Sequence, residues 1–158
     1  MRSWLTFLSL ILSLSVGANE LTGRVVRVAD GDTITVLDGS NTQHKVRLNR
    51  IDAPESGQAF GNVSKKHLSS MVAGKEVKVY WEKTDKYGRI LGDITCCSTN
   101  VNLQMVKEGL AWHFKFYDKT PEYAEAEKAA REKKLGLWAD PNPVEPYQFR
   151  KIKKEKKK

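Results

Sequence analysis

The sequence predicts an α+β domain in which five short strands close a small antiparallel barrel of the OB type, with three α-helices at one end. Two patterns predict it. From Gly23 to Thr95, five segments rich in β-branched or aromatic residues are bounded by Gly, Asp, Asn or Lys clusters. One helical pattern interrupts them after the third segment and two more follow the fifth. An open sheet with helices on one face is the alternative arrangement. The 158 residues suffice for one domain with a real core and are too few for two.

In chain order, the strands are expected in RVVRVA, TITVL and QHKVRLNRI, then in EVKVYWE and RILGDIT. The first helix falls in GNVSKKHLSSMVAGK, where Val63, His67, Leu68, Met71 and Val72 recur at helical spacing before Gly74, a natural stop. The second begins after Asn100, which can cap VNLQMVKEG, and ends at Gly109. The third starts at Thr120-Pro121, with Thr as cap and Pro in the first turn, and stops at Gly136. WHFKFY, residues 112 to 117, alternates like a strand, which assigns Trp112, Phe114 and Phe116 to the core and leaves Tyr117 and Lys115 facing outward. Trp138 is expected to pack the last helix against the barrel.

The chain opens MRSWLTFLSLILSLSVGANE, with a basic Arg2, an apolar run from Trp4 to Val16, and small residues that permit cleavage after Ala18. This is the pattern of an export signal, and the run is too short for the ~20 residues of a membrane span. A secreted or periplasmic product without stable membrane insertion is expected. The net charge of +8 is concentrated at the other end, where RKIKKEKKK, residues 150 to 158, holds seven basic residues and one acid. The body is therefore nearly neutral, and the charge argues for a polycationic tail, not a basic domain surface. The adjacent pair Cys96 and Cys97 would close almost no loop as a disulfide, and no neighbouring residues complete a zinc set. His44, His67 and His113 lack any metal-binding spacing.

Two acidic turns stand at strand ends: ADGDT, with Asp30 and Asp32, and IDAPES, with Asp52 and Glu55. Each alone also reads as an ordinary turn or helix start. If the strand ends meet, three carboxylates converge, and a hard divalent cation is the usual relief for their repulsion. The lack of His or Cys partners favours calcium or magnesium over zinc. Arg47, on the strand leading to Asp52, alternates with Val46 and Leu48 and so points off the apolar face. Arg89 follows Tyr87 and Gly88 in a turn, TDKYGRI. A guanidinium offers a phosphate two charge-assisted hydrogen bonds from one planar fork. Cation, free carboxylate and arginines together make a phosphoryl-transfer set.

DGDT, VRLNRIDAPE and TDKYGR, in this order and behind an export signal, closely resemble the thermonuclease family of staphylococcal (micrococcal) nuclease. The resemblance covers about residues 22 to 140, and it implies a calcium-dependent endonuclease on an OB-fold barrel, with DNA and RNA as substrates, cleaving the 5′ ester bond and releasing 3′-phosphates. It implies Asp32 and Asp52 as calcium ligands, with the backbone carbonyl of Ala53, where the founding enzyme has threonine. Glu55 is implied as general base, and Arg47 and Arg89 as the pair that grips the scissile phosphate. Lys86 and Tyr87 match residues that bind a terminal phosphate. Tyr117 matches an aromatic of the nucleotide pocket, and Lys115 stands where the founding enzyme has a second tyrosine. On this reading residues 1–18 are the signal, 19–142 the nuclease domain, and 143–158 a proline-containing segment and polybasic tail, expected to be disordered, and the product acts as a monomer. A glutamate is a weak base towards water, so cation and arginines must carry most of the acceleration. The alternative is an OB-fold module that binds nucleic acid without cutting it. Asp32, Arg47, Asp52, Glu55 and Arg89 are all present, which favours the enzyme.

Overall fold

The computed structural model describes residues 18–156; residues 1–17 of the expected export signal lie outside the described residues. The strands are β1 (Asn19–Val28), β2 (Thr33–Asp38), β3 (Gln43–Leu48), β4 (Ile51–Asp52), β5 (Glu76–Thr84), β6 (Ile90–Cys96), β7 (Thr99–Asn100) and β8 (Trp112–His113). The helices are α1 (Gly61–Val72), α2 (Val101–Lys107), α3 (Pro121–Glu132) and α4 (Pro146–Glu155), with a 3₁₀ turn at Gly136–Ala139.

β3, β2, β1, β5 and β6 are neighbours in that order, all antiparallel, and a parallel pairing of β3 with β6 closes the five strands into a barrel. This is the α+β barrel that the sequence predicts. Closure is driven from inside: Ile34, Val36, Val46, Leu48, Val79 and Ile94 alternate along their strands and are fully or almost fully buried. Leu68 and Val72 of α1 and Met105 and Val106 of α2 join the same core.

Four expectations are corrected. The third strand does not run through Ile51, because Arg50 adopts a left-handed conformation with φ 68°, and Ile51–Asp52 turns away to pair with β8. WHFKFY is a strand only over Trp112–His113. The chain then turns, which leaves Phe116 87% exposed and not in the core, while Trp112 is buried as expected. Thr120 stands at the N-cap of α3, but its hydroxyl donates to Asp118 instead of capping the helix. The basic tail forms a fourth helix, α4, over Pro146–Glu155, which takes in Lys151, Lys153 and Lys154.

Other helix ends match the pattern that predicted them. The Asn100 side chain accepts the Leu103 N–H at 3.0 Å and caps α2. Gly109 and Gly136, both at positive φ, bring the segments after α2 and α3 together; a Cβ on Gly109 would collide with the Leu135 carbonyl, and one on Gly136 with the Gly109 carbonyl. Trp138 packs its ring edge on Trp112 at 4.5 Å, with Arg131 of α3 over it at 3.9 Å, which fastens α3 to the barrel. Cys96 and Cys97 are free thiols.

Candidate active site

The Asp30-Gly31-Asp32 turn between β1 and β2 is closed by the Asp30 carboxylate, which accepts the Asp32 N–H at 3.0 Å. The Asp32 carbonyl accepts the Leu48 N–H at 2.8 Å, fastening this turn to the end of β3. The Asp32 side chain reaches the second acidic turn, where its Oδ2 accepts the Ala53 N–H at 2.9 Å. Strand pairing and backbone hydrogen bonds thus bring residues 32, 47, 52 and 53 to one end of the barrel. Glu55 follows in a turn held by mutual bonds with Gln58: Glu55 N–H to Gln58 Oε1 at 3.0 Å, Gln58 N–H to the Glu55 carbonyl at 2.9 Å. Gly61 packs under that carbonyl, and a Cβ there would push the Glu55 turn outward.

One guanidinium links the two aspartates. Arg47 NH2 lies 2.8 Å from Asp52 Oδ1 and 3.3 Å from Asp32 Oδ2, and its NH1 donates to the Ile51 carbonyl at 3.2 Å. Both aspartates are buried. Burial pushes the Asp52 carboxyl up, hydrogen bonding from Arg150 pulls against it and the Asp32 charge adds to the rise; the net shift is upward. Asp30 is pushed up to about 6, first by burial and then by the charge of Asp32.

Arg150 of α4 is the unexpected member of this cluster. Its NH2 donates to Asp52 Oδ2 at 2.9 Å, and its NH1 to Asp52 Oδ1 at 3.1 Å and Glu55 Oε1 at 2.6 Å. In the sequence it is merely the first of a basic run, a signal that announces charge and gives no address.

The remaining predicted residues make no hydrogen bond or ion pair with these acids. Arg47 pairs with Leu91 across the β3–β6 closure, so Arg89, two residues earlier, enters on the same face. Strand geometry sets the two arginine Cα atoms roughly 8 Å apart. The Arg89 guanidinium is held by Asp85 Oδ2 at 2.8 Å from both Nε and NH2. Lys86 and Tyr87 occupy the exposed turn beside it, with the Lys86 ammonium 5.1 Å from the Tyr87 ring centre. Tyr117 is exposed and stacks at a tilt on Phe114. Lys115, expected to face substrate, stays exposed and reaches Glu127 Oε1 at 2.7 Å; Glu127 is buried and also accepts the His113 N–H. Arg50, neighbour to Arg47 in sequence, turns the other way and grips Asp93, Asp118 and Thr120.

The sequence profile of the Staphylococcal nuclease homologue family matches residues 45–140. The chain belongs to this family. Among curated relatives of this nuclease family, a Haemophilus influenzae protein described as an uncharacterized endonuclease is 47% identical over 95% of this chain and 85% of its own. A Shigella flexneri protein named micrococcal nuclease is 42% identical over 92% of this chain and 90% of its own. An Escherichia coli uncharacterized endonuclease is 42% identical over 95% and 98%. Asp32 lies outside the family match and is covered only by the longer pairwise alignments. Membership of a nuclease family makes phosphodiester hydrolysis the chemistry to test the site against.

The donor set fits a hard cation. Asp32, Asp52 and the Ala53 backbone offer oxygen only; burial first, and then the charge of Asp32, disfavours the ionised forms of Asp30 and Asp52, and a divalent ion offsets a penalty of that kind. Among the described residues no three His, Cys, Asp or Glu side chains form a closed ligand cluster; guanidiniums stand between the acids instead.

The raised Asp30 carboxyl gives the first expected result. The folded chain favours the neutral acid, so the cost of its charge is absent below the unfolded value of 3.8, grows as pH rises towards 6 and is constant above. Asp30→Asn keeps the acceptor for the Asp32 N–H and removes the charge. It should stabilise the protein by about 1 kcal/mol at pH 7.5, after discounting for the solvent that still reaches the group, and by nothing at pH 3.5. Urea unfolding in chelator at the two pH values measures this; an equal gain at both would refute the charge argument.

Proposed function

We propose that this protein is an exported, calcium-dependent endonuclease of the micrococcal-nuclease type that hydrolyses phosphodiester bonds of DNA and RNA at the 5′ ester bond. The observation that carries the reading is the meeting of Asp32, Arg47, Asp52 and Glu55 at one barrel end, bridged by shared hydrogen bonds. The catalytic cation would be held by Asp32, Asp52 and the Ala53 carbonyl, where it would polarise the phosphate and offset charge building on its oxygens.

Glu55, half-exposed beside this centre, can orient a water and take its proton as the water oxygen bonds to phosphorus. The bond from phosphorus to the 5′ oxygen breaks, that oxygen leaves with a proton, and the 3′ side keeps the phosphate. Arg47 and Arg89 bind the equatorial oxygens and stabilise the added charge. Lys86 and Tyr87 extend the grip to a neighbouring phosphate, and Tyr117 offers a face on which a base can stack. Contacts of this kind reach the phosphodiester, which DNA and RNA share, so neither base nor 2′-hydroxyl need be read. The protein acts as a monomer, and export removes residues 1–18. No helix among the described residues is long and apolar enough to cross a membrane.

Incubating the protein with denatured DNA or RNA, in calcium or in chelator, with end-group analysis of the products, tests this reading. Calcium-dependent degradation to 3′-phosphorylated ends is expected, and Glu55→Gln should lower turnover by about 10²-fold or more without weakening nucleic-acid binding. A gel shift with no cleavage in calcium would instead select the non-catalytic binding module.

A further inference from the structure

The basic tail has a second feature besides its charge: it returns to the barrel and inserts one side chain among the acids. Gln58 of the Glu55 turn donates to the Val144 carbonyl at 2.7 Å and guides the chain back over the site. Pro146 is buried, and Phe149 reaches a cavity of about 200 Å³ shared with Pro54, Phe60, Trp112 and Leu137. Arg150 then spans Asp52 and Glu55. The rest of α4 is exposed, Tyr147 and Ile152 included. Three anchors hold the helix, and of its large apolar side chains Tyr147 and Ile152 are exposed and Phe149 is only partly buried, so the apolar contribution to docking is small. The ion pairs at Arg150 therefore supply much of what keeps α4 in place.

We propose that Arg150 is a cation-threshold residue: it competes with the divalent ion for the oxygens of Asp52 and at the same time engages Glu55, so that α4 is an intramolecular inhibitor which the ion must displace. This rests on the cation site described under Proposed function. Both Asp52 oxygens already accept from Arg150, and one of them also accepts from Arg47. A cation drawing on the same lone pairs must break at least one of these bonds, and Glu55 Oε1, engaged at 2.6 Å, is taken up by Arg150 while it stays. Lys151, Lys153 and Lys154 share the helix but make no contact with the acids, which separates the local effect of Arg150 from the general charge of the tail.

Calcium titration by calorimetry, with no nucleic acid present, is the direct test. Arg150→Ala and Arg150→Gln should bind calcium on the order of tenfold more tightly than the wild type. Lys151→Ala, which removes the same charge one residue on, should bind within twofold of it. Hydrogen exchange gives an independent reading: saturating calcium should speed exchange of the amides of residues 147–155 in the wild type, while in Arg150→Ala they should already exchange fast in chelator. Unchanged or weaker calcium binding in both Arg150 variants, an equal gain from Lys151→Ala, or α4 amides indifferent to calcium would each overturn the proposal. Asp52→Asn distinguishes this from failure of the underlying site: if it binds calcium as the wild type does, the cation site is wrong. If it loses calcium while both Arg150 variants match the wild type, the site stands and the competition is wrong.

Discussion

Replacing Arg89 with lysine is expected to lower turnover by about 10²-fold or more with no change in the unfolding midpoint. A transition-state arginine in phosphoryl transfer contributes on the order of 10³ to 10⁵ in rate, and lysine retains only the charge. The structure explains why retaining charge is not enough. Asp85 accepts the backbone N–H groups of Tyr87 and Arg89, at 2.9 and 3.0 Å, and also the Arg89 Nε and NH2. Burial acts to raise the Asp85 carboxyl, but these bonds and the Arg89 charge outweigh it and leave the group below its usual range. One acid thus shapes the turn and aims the fork, leaving the NH1 edge for a phosphate. An ammonium can satisfy Asp85 or the phosphate, not both in fixed directions. Single-turnover cleavage of denatured DNA in saturating calcium measures the effect, and near-normal turnover would remove Arg89 from the mechanism.

The largest stability loss is expected at Arg50, which directly precedes the IDAPES turn. Arg50→Ala should cost about 2–3 kcal/mol, read as a drop in the urea midpoint, with cleavage retained at temperatures where the variant is folded. Arg50 joins three separate segments: Nε and NH2 meet Asp93 of β6 at 3.0 and 3.2 Å, NH1 meets Asp118 at 2.9 Å and Thr120 at 2.7 Å, and its carbonyl accepts the Phe114 N–H. Removing one partner of a buried pair costs about 3–5 kcal/mol, reduced here because the Arg50 side chain is about one-third exposed. Its absence leaves Asp118 with only His113 and Thr120, and frees the entry to α3. A midpoint shift below ~0.5 kcal/mol equivalent, or loss of cleavage in the folded variant, would show that the roles of the two arginines are misassigned.

The division between Arg47 and Arg50 shows where sequence reasoning stopped. Both stand in VRLNRIDAPE, and strand alternation places Arg47 off the apolar face. No periodicity reveals that Arg50 takes a positive φ and sends its side chain to the opposite side. Lys115 illustrates the same limit. Its exposure was legible, but its engagement by Glu127 depends on α3 docking beside β8, a contact between segments twelve residues apart. Phe116 was assigned to the core because local alternation cannot announce a strand that ends after two residues.

The amino-acid order alone specified the barrel strands, three of the helices with the Asn100 cap of α2 and the glycines after α1 and α2, and the acids of the candidate site together with Arg47. These follow from short-range rules: side-chain alternation, capping chemistry and the charge types that phosphate requires. Only the folded chain decided which charges share an atom: Asp32 and Asp52 on one Arg47 nitrogen, Arg89 held by Asp85, and Arg150 drawn from a tail that read as a solvated run of lysines onto Asp52 and Glu55. An ion pair is set by distance in space, and residues 52 and 150 are neighbours only because barrel closure and the packing of α3 and Trp138 return the chain to the end where the acids meet.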